Sequence, residues 1–354
     1  MTKTISASDL RAVISGLLAA AGSLPAEAET VASNLVEANL SGHDSHGIGM
    51  APRYVDAVRE GGLKPNTSLR TVLDIGTMLS LDGQSGYGQV IGEQAMGLGI
   101  QRAKAHGSCI MTLANSHHLG RIGHFAEMAV AQSLVSLHFV NVMSRPIVAP
   151  WGGGDGRFGT NPCCIGIPLQ GEPPFILDFA TSRVAQGKMR VAYNEGHAVA
   201  PGMLIDEAGK PTTDPGVVVV PQANGLFGAL LTFGEHKGFG MALACELLGG
   251  ALSGGGTWHH TPDGRAAALN NMLTILIDPV RLGTQQSFAQ ESSAFLRWMR
   301  ESPVADGFES VQIAGEPERK ARVARERDGI VIDQTTWDAI VQAGAKLGFA
   351  IDAG

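Results

Sequence analysis

Two short clusters in this chain set a hydroxyl, an imidazole and a glycine side by side. They are Asp44-Ser45-His46-Gly47 and Asn115-Ser116-His117-His118-Leu119-Gly120. Imidazole titrates near neutrality, so His46 and His118 can each give and take a proton at working pH. Ser45 supplies a hydroxyl beside His46, and the glycine that follows lets backbone or ligand come close because no Cβ intervenes. A competing reading has both imidazoles merely bonding to backbone at helix ends. Each cluster, however, ends an otherwise apolar segment, which suits two parts of one active site.

The elements around the clusters must position them. Residues 26–40 carry Val31, Leu35, Val36 and Leu40 at helical spacing and stop at Gly42. A second helix follows Pro52, turns Tyr54, Val55 and Val58 inward and ends at Gly61-Gly62. The Ser45-His46 cluster therefore sits on a connection held by two packed helices, a common place for function. Ahead of them, Ser8-Asp9 before Leu10 predicts a helix start. From about Val72 the pattern alternates: strand over 78–82, helix over 90–106, strand over 109–114, helix over 123–131 and strand over 134–141. Runs at 175–179 and 273–277 add two strands, so the core is expected to be α/β.

Other polar groups stand at element ends. Gly159-Thr160-Asn161-Pro162 is a polar turn beside an apolar strand. Asp178 closes the 175–179 strand and precedes Thr181-Ser182; an acid there plus a hydroxyl-rich helix start could receive ribose or phosphate. Alternatively, Asp178 caps its own helix. His236-Lys237 opens a helix where a lysine opposes the dipole, so an anionic ligand or a salt bridge should compensate. Gly86-Tyr87-Gly88 misses the dinucleotide fingerprint, since Ile91 stands where its third glycine belongs. A doubly wound nucleotide fold is not supported.

With 354 residues, 44% hydrophobic and 17% charged, the chain is long enough for two domains. A net charge of −7 provides no field to collect nucleic acid or anionic membrane. The basic run over 318–327 is interspersed with acids and reads as a solvated helix face. No apolar run approaches the roughly 20 residues of a membrane span. Without a basic leader or cleavage site no signal peptide is expected, and Cys109, Cys163, Cys164 and Cys245 read as free thiols of a cytoplasmic protein. A metal-dependent hydrolase or lyase built on His43, Asp44, His46, His117 and His118 is the rival from another class. No HExxH spacing supports it, and no metal is expected.

Taken in order, these motifs resemble the malate/L-lactate dehydrogenase family of the non-Rossmann type over essentially the whole chain. The likeness is carried by Gly42-His43-Asp44-Ser45-His46-Gly47, the 115–120 cluster, Gly159-Thr160-Asn161-Pro162 and Leu177-Asp178-Phe179-Ala180-Thr181-Ser182. Further matches are the 209–215 segment, His236-Lys237-Gly238-Phe239-Gly240 and Gly315-Glu316-Pro317-Glu318. The resemblance implies a homodimeric oxidoreductase using NAD or NADP on a mixed-sheet, non-Rossmann fold. The reaction it implies is reversible hydride transfer to a 2-oxo acid or from a 2-hydroxy acid, with reduction of a cyclic-imine carboxylate as the alternative. It assigns proton transfer to His46 or His118 with Ser45 beside them, and cofactor contacts to Asp178, Thr181, Ser182, His236, Lys237, Gly315 and Glu316. Substrate contacts would involve Thr160 and Asn161.

One departure concerns the substrate. Many members carry an arginine four residues after the first histidine, where this chain has Met50. Methionine cannot replace a bidentate guanidinium–carboxylate bond, so either Arg53 or Arg121 takes over or the substrate presents something else there. Glu235, where relatives often have glycine, adds negative charge before His236-Lys237. The expected architecture is a helical lobe from 1–80 plus 285–354 around an α/β cofactor-binding core at 81–284.

Overall fold

The computed structural model describes residues 2–259 and 268–351; residues 260–267 of the expected core and 352–354 of the expected lobe lie outside them. The chain opens with strand β1 (Thr2–Ile5), helix α1 (Ala7–Ala20) and helix α2 (Pro25–Leu40). Helix α1 is capped by Ser6, whose Oγ accepts from the Asp9 N–H at 3.1 Å, two residues ahead of the expected Ser8. Single 3-10 turns at Asp44–His46 and Ile48–Met50 then lead into α3 (Ala51–Arg59). Strand β1 pairs antiparallel with β12 (Ile330–Asp333), which runs into α10 (Gln334–Lys346). Leu10, Leu17, Leu35, Ile48 and Tyr54 meet Trp337 and Ile340 in one apolar core. The two ends of the chain thus meet in one largely helical unit.

The large sheet is mixed and has the order β2-β3-β4-β11-β5-β6-β7. Its strands are β2 (Arg70–Ile75), β3 (Met78–Asp82), β4 (Ser108–Ser116), β5 (Val135–Met143), β6 (Cys163–Ile167), β7 (Phe175–Phe179) and β11 (Leu269–Ile277). Strands β3 and β4 run parallel, joined across helix α4 (Gly88–His106), while the other neighbours are antiparallel. A doubly wound nucleotide fold needs a mainly parallel sheet, so this topology agrees with the non-Rossmann expectation. Strand β2 and the first residues of β3 fall inside 1–80 yet pair into this sheet, which therefore begins ahead of residue 81. Helix α5 (Gly123–Ala131) joins α4 against the sheet through Ile91, Met96, Leu113, Phe125 and Leu276.

A smaller unit is inserted between β7 and β11. It holds helix α6 (Gln186–Asn194) and strands β8 (Leu204–Ile205), β9 (Pro211–Thr212) and β10 (Ala229–Leu230). Its own core comprises Val148, Met189, Leu204, Val218 and Leu230. Helix α7 (His236–Cys245) closes the insertion and widens into a π-helical turn over Glu246–Ala251. Helix α8 (Gln285–Arg300) follows β11. Helix α9 (Glu316–Asp328), the expected solvated helix, also grips α2 and the turn after it. Arg325 binds both carboxylate oxygens of Asp44, at 2.6 and 3.0 Å, and Arg322 pairs with Glu37.

Candidate active site

The first cluster is set by its neighbours before its own side chains matter. Asn39, near the end of α2, donates to Asp44 Oδ1 at 2.6 Å and accepts the Ile48 N–H at 2.8 Å, pinning both 3-10 turns. Ser45 Oγ then lies 2.9 Å from His46 Nδ1. Helix α6 leans on this turn: a Cβ built on Gly187 would stand 2.7 Å from the Ser45 Cβ, so only glycine permits the approach.

The second cluster follows β4. The Asn115 and Leu119 N–H groups donate to the side-chain oxygens of Asn271 and Asn270 on β11, at 2.7 and 2.9 Å. Gly88 lets the start of α4 slide beneath the carbonyls of His117 and His118, where a Cβ would come within 2.4 and 2.3 Å. Tyr54 of α3 reaches across and meets His118 Nδ1 at 2.7 Å. Gln89 Nε2 donates to the same phenol oxygen at 2.8 Å; with Nδ1 engaged by Tyr54, Nε2 is the ring nitrogen left for a ligand, and it can accept a proton in the tautomer whose hydrogen sits on Nδ1. The rings of His46 and His118 stack with centroids 5.5 Å apart and planes 16° from parallel. The structure thus brings Ser45, His46 and His118 together. Tyr54 and Gln89 were invisible as site residues, one reading as a core-facing aromatic and the other as part of a failed glycine motif.

Burial sets the protonation of this group. His46 is held down at about 4, first by burial and then by nearby His43 and Arg121. His118 is lowered well below its ordinary value by burial, then by His46, His117 and Arg53. Burial also brings His117 to about 4 and raises the Tyr54 phenol. Both central imidazoles are therefore neutral at neutral pH and ready to accept a proton. His117 packs edge-on to Tyr54 with centroids 5.6 Å apart, and its Nδ1 has no hydrogen-bond partner among the described residues.

The remaining expected residues divide sharply. Arg53 is open to solvent beside Tyr54, whereas Arg121 is buried and bound to Glu127 Oε2 at 2.5 Å. Arg121 is thus already neutralised by a carboxylate, whereas among the described residues no carboxylate pairs with Arg53. Met50 packs against the helical core. Asp178 caps α5 rather than its own helix, accepting the Gly123 N–H at 2.7 Å, and burial raises its carboxyl. Gly315 and Arg121 share the lining of a cavity of about 250 Å³ with Ile176, Glu318, Arg319 and Arg322. Glu316 accepts the Ile313 N–H at 2.9 Å and pairs with Arg300 at 3.0 Å.

The 159–162 turn ties α7 to β5 through Asn161. Asn161, buried at φ 33°, donates to Glu246 Oε2 at 2.7 Å and to the Ala242 carbonyl at 3.2 Å, and accepts the Val142 N–H at 3.0 Å. Its amide is consumed in holding α7 to β5. Thr181 Oγ1 donates to the carbonyls of Thr160 and Asn161, both at 3.0 Å, and Ser182 Oγ to that of Val184 at 2.9 Å. These two hydroxyls stand in a loop, since α6 begins only at Gln186. That loop is tied to the start of α7, the Phe233 N–H donating to the Thr181 carbonyl at 3.2 Å. Helix α7 begins without a side-chain cap, with His236 and Lys237 exposed on its first turn. An exposed lysine at a helix start suits an anionic group such as the diphosphate of a dinucleotide. Among the described residues no three His, Cys, Asp or Glu side chains gather as metal ligands.

Comparison with known proteins places this geometry. A profile described as malate/L-lactate dehydrogenase matches residues 5–341. The chain is 46% identical over 347 residues to hydroxycarboxylate dehydrogenase B of Escherichia coli K12, covering 97% of this chain and 94% of that protein. It is 40% identical over 336 residues to L-lactate dehydrogenase of Cupriavidus necator, covering 94% and 95% of the two chains. The structure of delta1-piperideine-2-carboxylate reductase from Pseudomonas syringae superposes with a TM-score of 0.84 at 30% identity, covering 97% of this chain and all (100%) of that one. A stacked, neutral histidine pair on a mixed sheet, and likeness along nearly the whole length, lead to one conclusion: this chain belongs to the malate/L-lactate dehydrogenase family of oxidoreductases, which work with a nicotinamide cofactor.

Proposed function

We propose that this chain interconverts 2-hydroxy and 2-oxo carboxylic acids with NAD or NADP, using His118 as the group that moves the proton. The observation that carries the reading is the Gln89–Tyr54–His118 chain, which holds a neutral imidazole by its Nδ1 next to His46. Bound nicotinamide supplies or takes up the hydride. The protein must bind the acid, orient it and handle one proton. In oxidation the unprotonated Nε2 of His118, with the ring hydrogen on Nδ1 towards Tyr54, accepts the hydroxyl proton; in reduction the same nitrogen returns it to the carbonyl oxygen. His46, supported by Ser45, packs against the His118 ring and keeps it in place. Arg53 receives the carboxylate that Met50 cannot. His236 and Lys237 at the start of α7 would hold the cofactor diphosphate, and the Asp178 and Gly315-Glu316 region its remaining part.

Reduction of a cyclic-imine carboxylate uses the same proton and hydride, and the likeness to the piperideine-carboxylate reductase favours it as the second reading. The chain is proposed to act in the cytoplasm as a homodimer; an active monomer on gel filtration would remove that part. Loss of absorbance by NADH or NADPH with a panel of 2-oxo acids and cyclic imine acids tests the reaction, the cofactor and the substrate type together. Silence across the panel, with no cofactor binding by calorimetry, would reject the proposal.

A further inference from the structure

Behind the histidine pair, two buried amides from packed helices hold hydrogen-bonding capacity that the fold leaves unused. Asn34 stands on α2 and Gln89 on α4, and both side chains are buried. Among the described residues neither Nδ2 nor Oδ1 of Asn34 has a hydrogen-bond partner, and Gln89 Oε1 has none either. Both side chains converge on Gly120, which closes the second cluster at φ 77°. A Cβ built on that glycine would stand 2.8 Å from Asn34 Oδ1 and 3.4 Å from Gln89 Nε2. The two amides therefore border one spot.

Buried polar atoms cost stability unless something pairs with them, and an apolar side chain at residue 34 would avoid the cost. An internal water that accepts from Asn34 Nδ2 and donates to Gln89 Oε1 and Asn34 Oδ1 would satisfy all three atoms. Three polar partners are the usual complement of a buried water. Gln89 also matters beyond its own bonds. Its Nε2 donates to Tyr54 Oη at 2.8 Å, and that oxygen meets His118 Nδ1 at 2.7 Å. An amide gripped only at Nε2 can turn its oxygen towards the phenol instead. Holding Oε1 from the Asn34 side prevents the turn and stiffens the whole chain of bonds.

We infer that Asn34 is a positioning residue for His118: with Gln89 it binds an internal water that fixes the Gln89 amide, the Tyr54 phenol and, through them, the imidazole. The inference rests on the proposed dehydrogenase reading for its effect on turnover, but the water site stands apart from any reaction. Asn34 touches neither substrate nor cofactor in this role. It acts only through the line from Gln89 to His118.

The test sets activity against stability. Asn34→Leu keeps the volume and excludes the water, whereas Asn34→Ser keeps a hydroxyl and leaves room for a second water. Urea midpoints, kcat and KM are measured for both variants, for Tyr54→Phe and for the Asn34→Leu/Tyr54→Phe double variant. A crystal structure of the wild type looks for the water. The expected result is that Asn34→Leu lowers kcat about tenfold with little change in KM, while its urea midpoint is no lower than that of Asn34→Ser. Asn34→Ser should lose less kcat than Asn34→Leu. In the Tyr54→Phe background Asn34→Leu should cost nothing further, because the line to His118 is already cut. A wild-type kcat in Asn34→Leu, a full second loss in the double variant, or a crystal structure without water between the amides would overturn the inference. A water bonded to both amides, with no turnover of any acid in the panel, would keep the site and reject the dehydrogenase reading instead.

Discussion

At the histidine pair, one hydrogen bond orients the ring that moves the proton. Tyr54→Phe removes the partner of His118 Nδ1 and leaves Gln89 facing a hydrocarbon edge. It should lower kcat about tenfold to a hundredfold with little change in KM; an unchanged kcat would show that this bond does not matter to turnover. His118→Ala should cost about 10² to 10⁴ in turnover. Because burial keeps His46 at about 4 and His118 well below 6.5, alcohol oxidation should stay level from neutral pH down to about pH 5 and fail only below it. A base limb in the pH–rate profile at 6.5 or above would count against these imidazoles. Ser45, His46 and His118 draw notice in the sequence because their residue types can transfer protons. Asn161, Thr181 and Ser182 are legible as polar, but a sequence does not reveal that their amide and hydroxyls bond to carbonyls and Glu246.

Among the elements, the start of α4 and the α9 clamp give the sharpest expectations. Gly88→Ala would push a methyl into the carbonyls of His117 and His118. It should cost on the order of 1–3 kcal/mol in stability, by overpacking, and displace the second cluster. Urea denaturation with a kcat measurement checks both, and a variant with wild-type turnover would show that the cluster tolerates the shift. Arg325→Ala frees Asp44 from α9 across a half-exposed pair, so its stability cost should stay within about 1 kcal/mol. Activity should fall further than stability, because Asp44 also anchors the Asn39 amide beneath the 3-10 turns. The extents of β3, α5 and β7 could be read from periodicity and punctuation alone. The grip of α9 could not: its charges alternate like those of a free surface helix, and only the tertiary fold shows which arginines face α2.

For the molecule as a whole, the neutral buried histidines link stability to acidity. His46, His117, His118 and His138 are all lowered by burial, His138 to about 3, while an unfolded chain takes up protons near 6.5. Between those values the unfolded state binds more protons, so stability should fall as pH drops from about 6.5 towards about 4. Urea midpoints at pH 7.5, 6 and 5 should decrease in that order; a flat series would mean that these imidazoles are not desolvated. The α/β class could be read from patterning. The strand order could not, because pairing partners distant in sequence leave no local signal.

That order has a consequence for how the chain is made. Strand β11, Leu269–Ile277, lies between β4 and β5 and hydrogen-bonds both. A nascent chain released only as far as residue 259 therefore holds two half-sheets with facing unsatisfied edges and no strand to join them. Until the final quarter of the chain leaves the ribosome, those open edges are available to any other extended peptide, and chaperone dependence during synthesis should be concentrated in that interval.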